Sequence, residues 1–149
     1  EMRLGAAGGA MLPVYQNSVA RACEYFSWAG TTTHAKTHMV GDIPDSRTFA
    51  IASKYEIAID HIVRQLSAED LEACDYILAM DKNNFKNILR LSDSGAHKGK
   101  VFMMREFDSL GKGMEVPDPY WGKEREFQDV FDILDRSIDG FLEHVSSDE

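Results

Sequence analysis

The sequence predicts an α/β domain built on a parallel sheet, and two observations carry that prediction. Tyr76-Ile77-Leu78-Ala79-Met80 and Val101-Phe102-Met103-Met104 are short continuous apolar runs, the pattern of strands buried on both faces. Segments with helical periodicity alternate with them, the order that crossover-connected parallel strands require. The 149 residues read as a single domain, 1–149, long enough to bury a substantial core.

The elements follow in chain order. Residues 2–8 occupy the place of a first strand, weakened by their glycines. Glu24 to Trp28 reads as a second strand ending at Ala29-Gly30. Pro44 to Tyr55 reads as a helix with Phe49, Ala52 and Ser53 on one side. Ser67-Ala68-Glu69-Asp70 resembles a capping box opening a short helix. Asp81 stands where it can cap a helix over Lys82 to Leu91, with Phe85, Ile88 and Leu89 turned inward. In the last helix Phe127, Val130, Phe131, Leu134, Ile138, Phe141, Leu142 and Val145 recur at helical spacing, a stripe that reads as core packing.

Composition narrows the classes of function. The chain is 44% hydrophobic and 28% charged, and no apolar run approaches the ~20 residues of a membrane span. Residues 1–11 lack the apolar centre of a signal peptide. Two cysteines, Cys23 and Cys74, make no disulfide framework. A cytoplasmic protein with no membrane partner is expected. Of the net charge of −9, −8 falls in residues 115–149, which hold eleven acidic and three basic residues. No basic patch is available to neutralise phosphates, so nucleic acid is not expected as a partner.

The most distinctive stretch is Glu115-Val116-Pro117-Asp118-Pro119-Tyr120-Trp121-Gly122. Each proline restricts its own φ and the residue before it, so Asp118 is presented from a stiff loop with two aromatic rings behind it. A stiff carboxyl beside aromatic walls suits a general acid working on a flat leaving group. A plain surface turn would use the same residue types. In open parallel sheets ligands bind at the C-terminal edge of the strands. Asp81, the Asp118 loop and the loop around Gly8 to Tyr15 should therefore share one rim.

Several stretches, in order, resemble the low-molecular-weight protein tyrosine phosphatases. They are Ala29-Gly30-Thr31, Val40-Gly41-Asp42-Ile43-Pro44-Asp45-Ser46-Arg47, His61-Ile62-Val63-Arg64-Gln65-Leu66, Asp75-Tyr76-Ile77-Leu78-Ala79-Met80-Asp81 with Asn84, and Pro117-Asp118-Pro119-Tyr120-Trp121-Gly122. The resemblance implies a flavodoxin-like three-layer sandwich, with helices on both faces of a four-stranded parallel sheet. It implies hydrolysis of phosphotyrosine or small aryl phosphate monoesters through a phosphocysteine, on a loop whose backbone N–H groups cradle the phosphate without metal or other cofactor. By match, Asp118 is the general acid and then the base toward water, and Tyr120 and Trp121 form the pocket wall. His61 resembles the histidine that steadies the phosphate loop, and Asp81 supports the pocket beside it. The partner implied is a phosphotyrosine protein, a small aryl phosphate or a phosphate anion.

One part of the pattern departs. The family's first loop reads Cys-Leu-Gly-Asn-Ile-Cys-Arg-Ser-Pro, with a Cys six residues before an Arg. Here the ungapped count places Gly8 at the nucleophile and Val14 at the Arg, and the segment up to Gly30 is several residues shorter. Cys23 is followed at that distance by Ala29 and Cys74 by Met80, so no nucleophile is identified. Cys74 reads as an inert core thiol. The alternative to a phosphatase is therefore a catalytically dead pseudophosphatase, acting as a phosphate- or protein-binding module. An arsenate reductase of the same fold would need more cysteines near the pocket. A phospho-accepting receiver domain would need acids after the first strand, and Leu4 to Met11 contains none.

Overall fold

The computed structural model describes residues 4–6, 11–12, 43, 45–59, 66–92 and 95–147. Strand β1 is Leu4–Ala6 and strand β2 is Met11–Leu12. Helix α1 spans Ser46–Lys54, helix α2 Ala68–Ala73, strand β3 Tyr76–Ala79 and helix α3 Lys82–Leu91. Strand β4 is Val101–Met103 and helix α4 is Glu124–Ser147.

The sheet order is β2-β1-β3-β4. β1 runs parallel to β3, with Gly5 opposite Ile77, and β3 runs parallel to β4, with Leu78 opposite Phe102. β2 pairs antiparallel to β1, Leu4 opposite Leu12. Only four residues separate β1 from β2, far fewer than the dozen or so a parallel crossover needs. The all-parallel expectation thus holds for β1, β3 and β4, while Met11 and Leu12, expected in a rim loop, are strand. The strand expected at Glu24 to Trp28 lies outside the described residues.

β3 explains the layers. Successive side chains of a strand point to opposite faces, and all of Ile77, Leu78 and Ala79 are buried. Leu78 joins Ile51, Ala52, Met104, Phe127, Phe131, Leu134, Ile138 and Phe141 on the side of α1 and α4. Ile77 and Ala79 join Leu71, Cys74, Ile88, Val101 and Met103 on the side of α2 and α3. Helices therefore cover both faces. The α4 stripe is buried as its periodicity predicts except at Leu142, which is half-buried at its edge, and Ser137 is added to it. α1 faces inward through Thr48, Ile51 and Ala52; of the expected face only Ala52 is buried, Phe49 being half-buried and Ser53 exposed. Its rotation is set by α4: Tyr55, just past its end, stacks on Phe131 with centroids 4.2 Å apart and accepts a hydrogen bond from Gln128 at 2.8 Å.

Local capping follows the sequence. The Asp70 carboxylate accepts the Ser67 N–H at 2.9 Å, closing the start of α2. Close packing of α4 on the sheet edge requires Gly140, where a Cβ would overlap the Phe107 carbonyl oxygen.

Beyond β4 the chain turns through a 3-10 segment, Met104–Glu106, into a buried ion cluster. Asp108 is 1% exposed. It accepts Arg105 Nε at 2.8 Å, Arg136 Nε at 2.9 Å and the Leu110 N–H at 3.0 Å. Burial pushes the Asp108 carboxyl up, but the bonds from Arg136, Leu110 and Arg105 outweigh it, and the group is held below the ordinary carboxylate range. Its folded pKa is therefore depressed. The stabilisation it confers is complete above the unfolded value, about 3.9, and is lost as pH falls through the folded value. Asp108→Ala leaves buried Arg105 without its carboxylate and should cost about 3–5 kcal/mol at neutral pH. Urea unfolding of both proteins should show that gap narrowing only below about pH 3.9.

Candidate active site

The Asp118 loop is tied to the C-terminal end of β3. The Val116 N–H donates to the Met80 carbonyl at 2.8 Å, extending the chain past the strand end. The Glu115 carboxylate accepts the Lys82 N–H at 2.9 Å, at the N-terminus of α3. Arg105 reaches the same segment through Nη1 to the Glu115 carbonyl at 3.1 Å. Asp81 begins α3, where its Oδ1 accepts the Asn84 N–H and its Oδ2 the Asn84 side-chain amide, both at 2.7 Å. Asp81 and the root of the Asp118 loop therefore share the C-terminal rim of the sheet.

Within the loop, Pro119 is buried and Asp118 is exposed. Asp118 Oδ1 accepts the Tyr120 N–H at 2.9 Å, a local turn that orients the carboxylate. Its Oδ2 has no hydrogen-bond partner among the described residues. The Gly122 N–H donates to the Pro119 carbonyl at 2.8 Å and closes the turn. Tyr120 and Trp121 meet edge to face, centroids 4.9 Å apart, and Trp121 is 87% exposed. This is an apolar surface with a carboxyl two residues away, on a backbone held by hydrogen bonds at both ends.

One contact to this loop comes from far away in sequence. Arg47, on the first turn of α1, donates Nη1 to the Gly122 carbonyl at 2.8 Å and Nη2 to the Tyr120 carbonyl at 2.9 Å. It also pairs with Asp45 through Nε and Nη2, at 2.9 and 2.7 Å. Its guanidinium carbon lies 4.3 Å from the centre of the Phe127 ring. The side-chain bond from Arg47 holds the Asp45 carboxyl below its usual range, against partial burial that pushes it up. Arg47 stood within a matching stretch but carried no signal of this role.

His61, Gly8, Val14 and Cys23 lie outside the described residues. Cys74 is 1% exposed and follows α2 at the opposite end of β3 from Met80, with its carbonyl accepting Lys100 Nζ at 2.9 Å. It cannot attack a ligand on the Asp118 rim. Among the described residues no group of three or more His, Cys, Asp or Glu side chains could hold a metal ion, and no helix is long and apolar enough to cross a membrane.

A family model described as low molecular weight phosphotyrosine protein phosphatase matches residues 24–149. Among curated proteins, the low molecular weight phosphotyrosine protein phosphatase of Gallus gallus is 32% identical over 117 residues, covering 78% of this chain and 73% of that one. That of Schizosaccharomyces pombe is 36% identical over 107 residues, covering 72% and 68%. Among solved structures, a protein tyrosine phosphatase from Entamoeba histolytica with Hepes in its active site superimposes with a TM-score of 0.73 at 25% identity, covering 97% of this chain and 95% of that one. Vibrio vulnificus Wzb in complex with benzylphosphonate gives 0.69 at 18% identity, covering 95% of each chain. The fold is the flavodoxin-like α/β sandwich.

Asp81 satisfies a helix terminus as well as marking the rim. Asp81→Ala should cost about 1 kcal/mol through loss of the cap, and Asp81→Asn, which keeps an acceptor, should cost less. Urea midpoints of the two variants check this.

Proposed function

The chain belongs to the low molecular weight phosphotyrosine protein phosphatase family, and from that premise we propose that its C-terminal rim is the acid side of an aryl-phosphate site. Asp118 donates a proton to the departing phenolic oxygen and later takes one from the attacking water. Tyr120 and Trp121 flank the aromatic ring of a phosphotyrosine. His61 and Asp81 support the phosphate side. The observation that carries this reading is the exposed, hydrogen-bonded carboxylate of Asp118 beside two aromatic rings, on a loop anchored at the C-terminal end of a parallel strand. Glu24 to Trp28 is the candidate for a further parallel strand.

The phosphate side reads differently. No Cys in the sequence has an Arg six residues on, and the family match begins at residue 24, after Gly8 and Val14. Met11–Leu12 pairs antiparallel with β1, a poor start for a loop that must cradle an anion at a helix N-terminus. Without a thiolate no phosphocysteine forms, and without the Arg the phosphate dianion loses its bidentate partner. We therefore read the chain as having little or no phosphomonoesterase activity by itself. This observation favours a second reading, a phosphate- or protein-binding pseudophosphatase. A cytoplasmic setting and a phosphotyrosine protein as partner complete the proposal.

Turnover of p-nitrophenyl phosphate by the chain as it reads should stay near background. Replacing residues 8 to 16 by Cys-Leu-Gly-Asn-Ile-Cys-Arg-Ser-Pro should create activity. Asp118→Asn in that protein should then lower the rate roughly 10²-fold or more, with little change in thermal midpoint because Asp118 is exposed. Turnover indifferent to Asp118→Asn would reduce this Asp to a turn residue. Turnover of about 1–10³ per second by the chain as it reads, surviving replacement of both cysteines, would remove the family mechanism altogether.

A further inference from the structure

We infer that Arg47 is the positioning residue of the Asp118 loop, and that it acts on the carboxylate through Tyr120. This rests on the proposed role of Asp118 and extends it to a side chain 71 positions earlier. Tyr120 is gripped on both sides. Its N–H is bound by Asp118 Oδ1 at 2.9 Å, and its carbonyl by Arg47 Nη2 at 2.9 Å. The same guanidinium holds Gly122, which closes the turn. Movement of Arg47 would release the far end of the turn that aims the carboxylate.

The guanidinium is itself immobilised. Arginine has five N–H donors in a planar fork. Two bonds go to Asp45, the N-cap of α1, and two to the loop. Its face lies against Phe127, the first buried residue of α4. The loop is thus registered to both α1 and α4. A lysine would keep the charge, but its point-like ammonium lacks the fork needed to span Asp45, Tyr120 and Gly122 together. The backbone of Trp121 lies directly between the two gripped carbonyls.

Amide hydrogen exchange on the full chain tests this. Arg47→Lys should accelerate exchange of the Tyr120 and Gly122 amides about tenfold or more, the scale of one charge-assisted hydrogen bond. Amides of β3 and central α4 should keep their protection. Unchanged exchange in the loop would overturn the inference. Equal acceleration in the core would also overturn it, making Arg47 a general prop of the fold. Coupling to Asp118 is read from Asp118→Ala alone and combined with Arg47→Lys. The acceleration at Tyr120 in the double variant should fall short of the product of the two single accelerations, since both loosen one turn, and a full product would mean that Arg47 does not act through that contact. These readouts need no turnover. An intact coupling with catalysis indifferent to Asp118→Asn in the loop-restored protein would leave the clamp standing and remove the acid role. The reverse result would remove the clamp alone.

Discussion

The burial of β3 on both faces is the constraint on which the rest of this domain depends. A four-residue strand can bury Ile77, Leu78 and Ala79 together only if helices cover the sheet above and below. Its alternation sends Leu78 to the α1 and α4 layer and its neighbours to the α2 and α3 layer. Parallel pairing with β1 and β4 aligns the strand ends, so their C-termini form one edge. That edge is where Met80 offers its carbonyl to Val116 and where Asp81 opens α3. The location of the candidate site is a consequence of how the central strand is packed.

A stiff loop needs more than two prolines. Pro117 and Pro119 narrow the local φ and ψ choices, but where Asp118 stands is decided by bonds at the loop's two ends. At one end are Val116, Glu115 and Arg105. At the other is Arg47. Arg105 in turn is fixed by Asp108, which Arg136 of α4 also holds. Two arginine–carboxylate clusters therefore link the loop to the helices. In each the carboxylate is held below its usual range, so folding favours the ionised form. The pair at Asp45 is only partly buried and is the weaker contributor.

Family membership rests on the match over residues 24–149, whereas the proposed loss of catalysis rests on the segment before it. That match includes the Asp118 loop, Asp81 and Arg47. The nucleophile and its arginine belong to the earlier segment, where Gly8 and Val14 stand at their positions by count. A general acid with no phosphoryl group held against it has nothing to protonate. The two halves of such a site are chemically interdependent even though they come from distant parts of the sequence.

Patterns that repeat within a few residues were legible in the sequence alone. The apolar runs of β3 and β4, the stripe of α4, the Ser67–Asp70 closure and the Asp81 cap are all local, because strand and helix periods and capping bonds span at most a few positions. The Asp118 motif was legible for the same reason. The rotation of α1 was not, since stacking of Tyr55 on Phe131 selects its inward face. Nor was the antiparallel β2, where Met11 and Leu12 pair across a connection too short for a crossover. Arg47 was the residue least readable in advance: its two loop contacts join positions 73 and 75 apart. An arginine on the first turn of a helix has many possible partners. Only the packing of α1 beside the start of α4 brings the carbonyls of Tyr120 and Gly122 within reach of its fork.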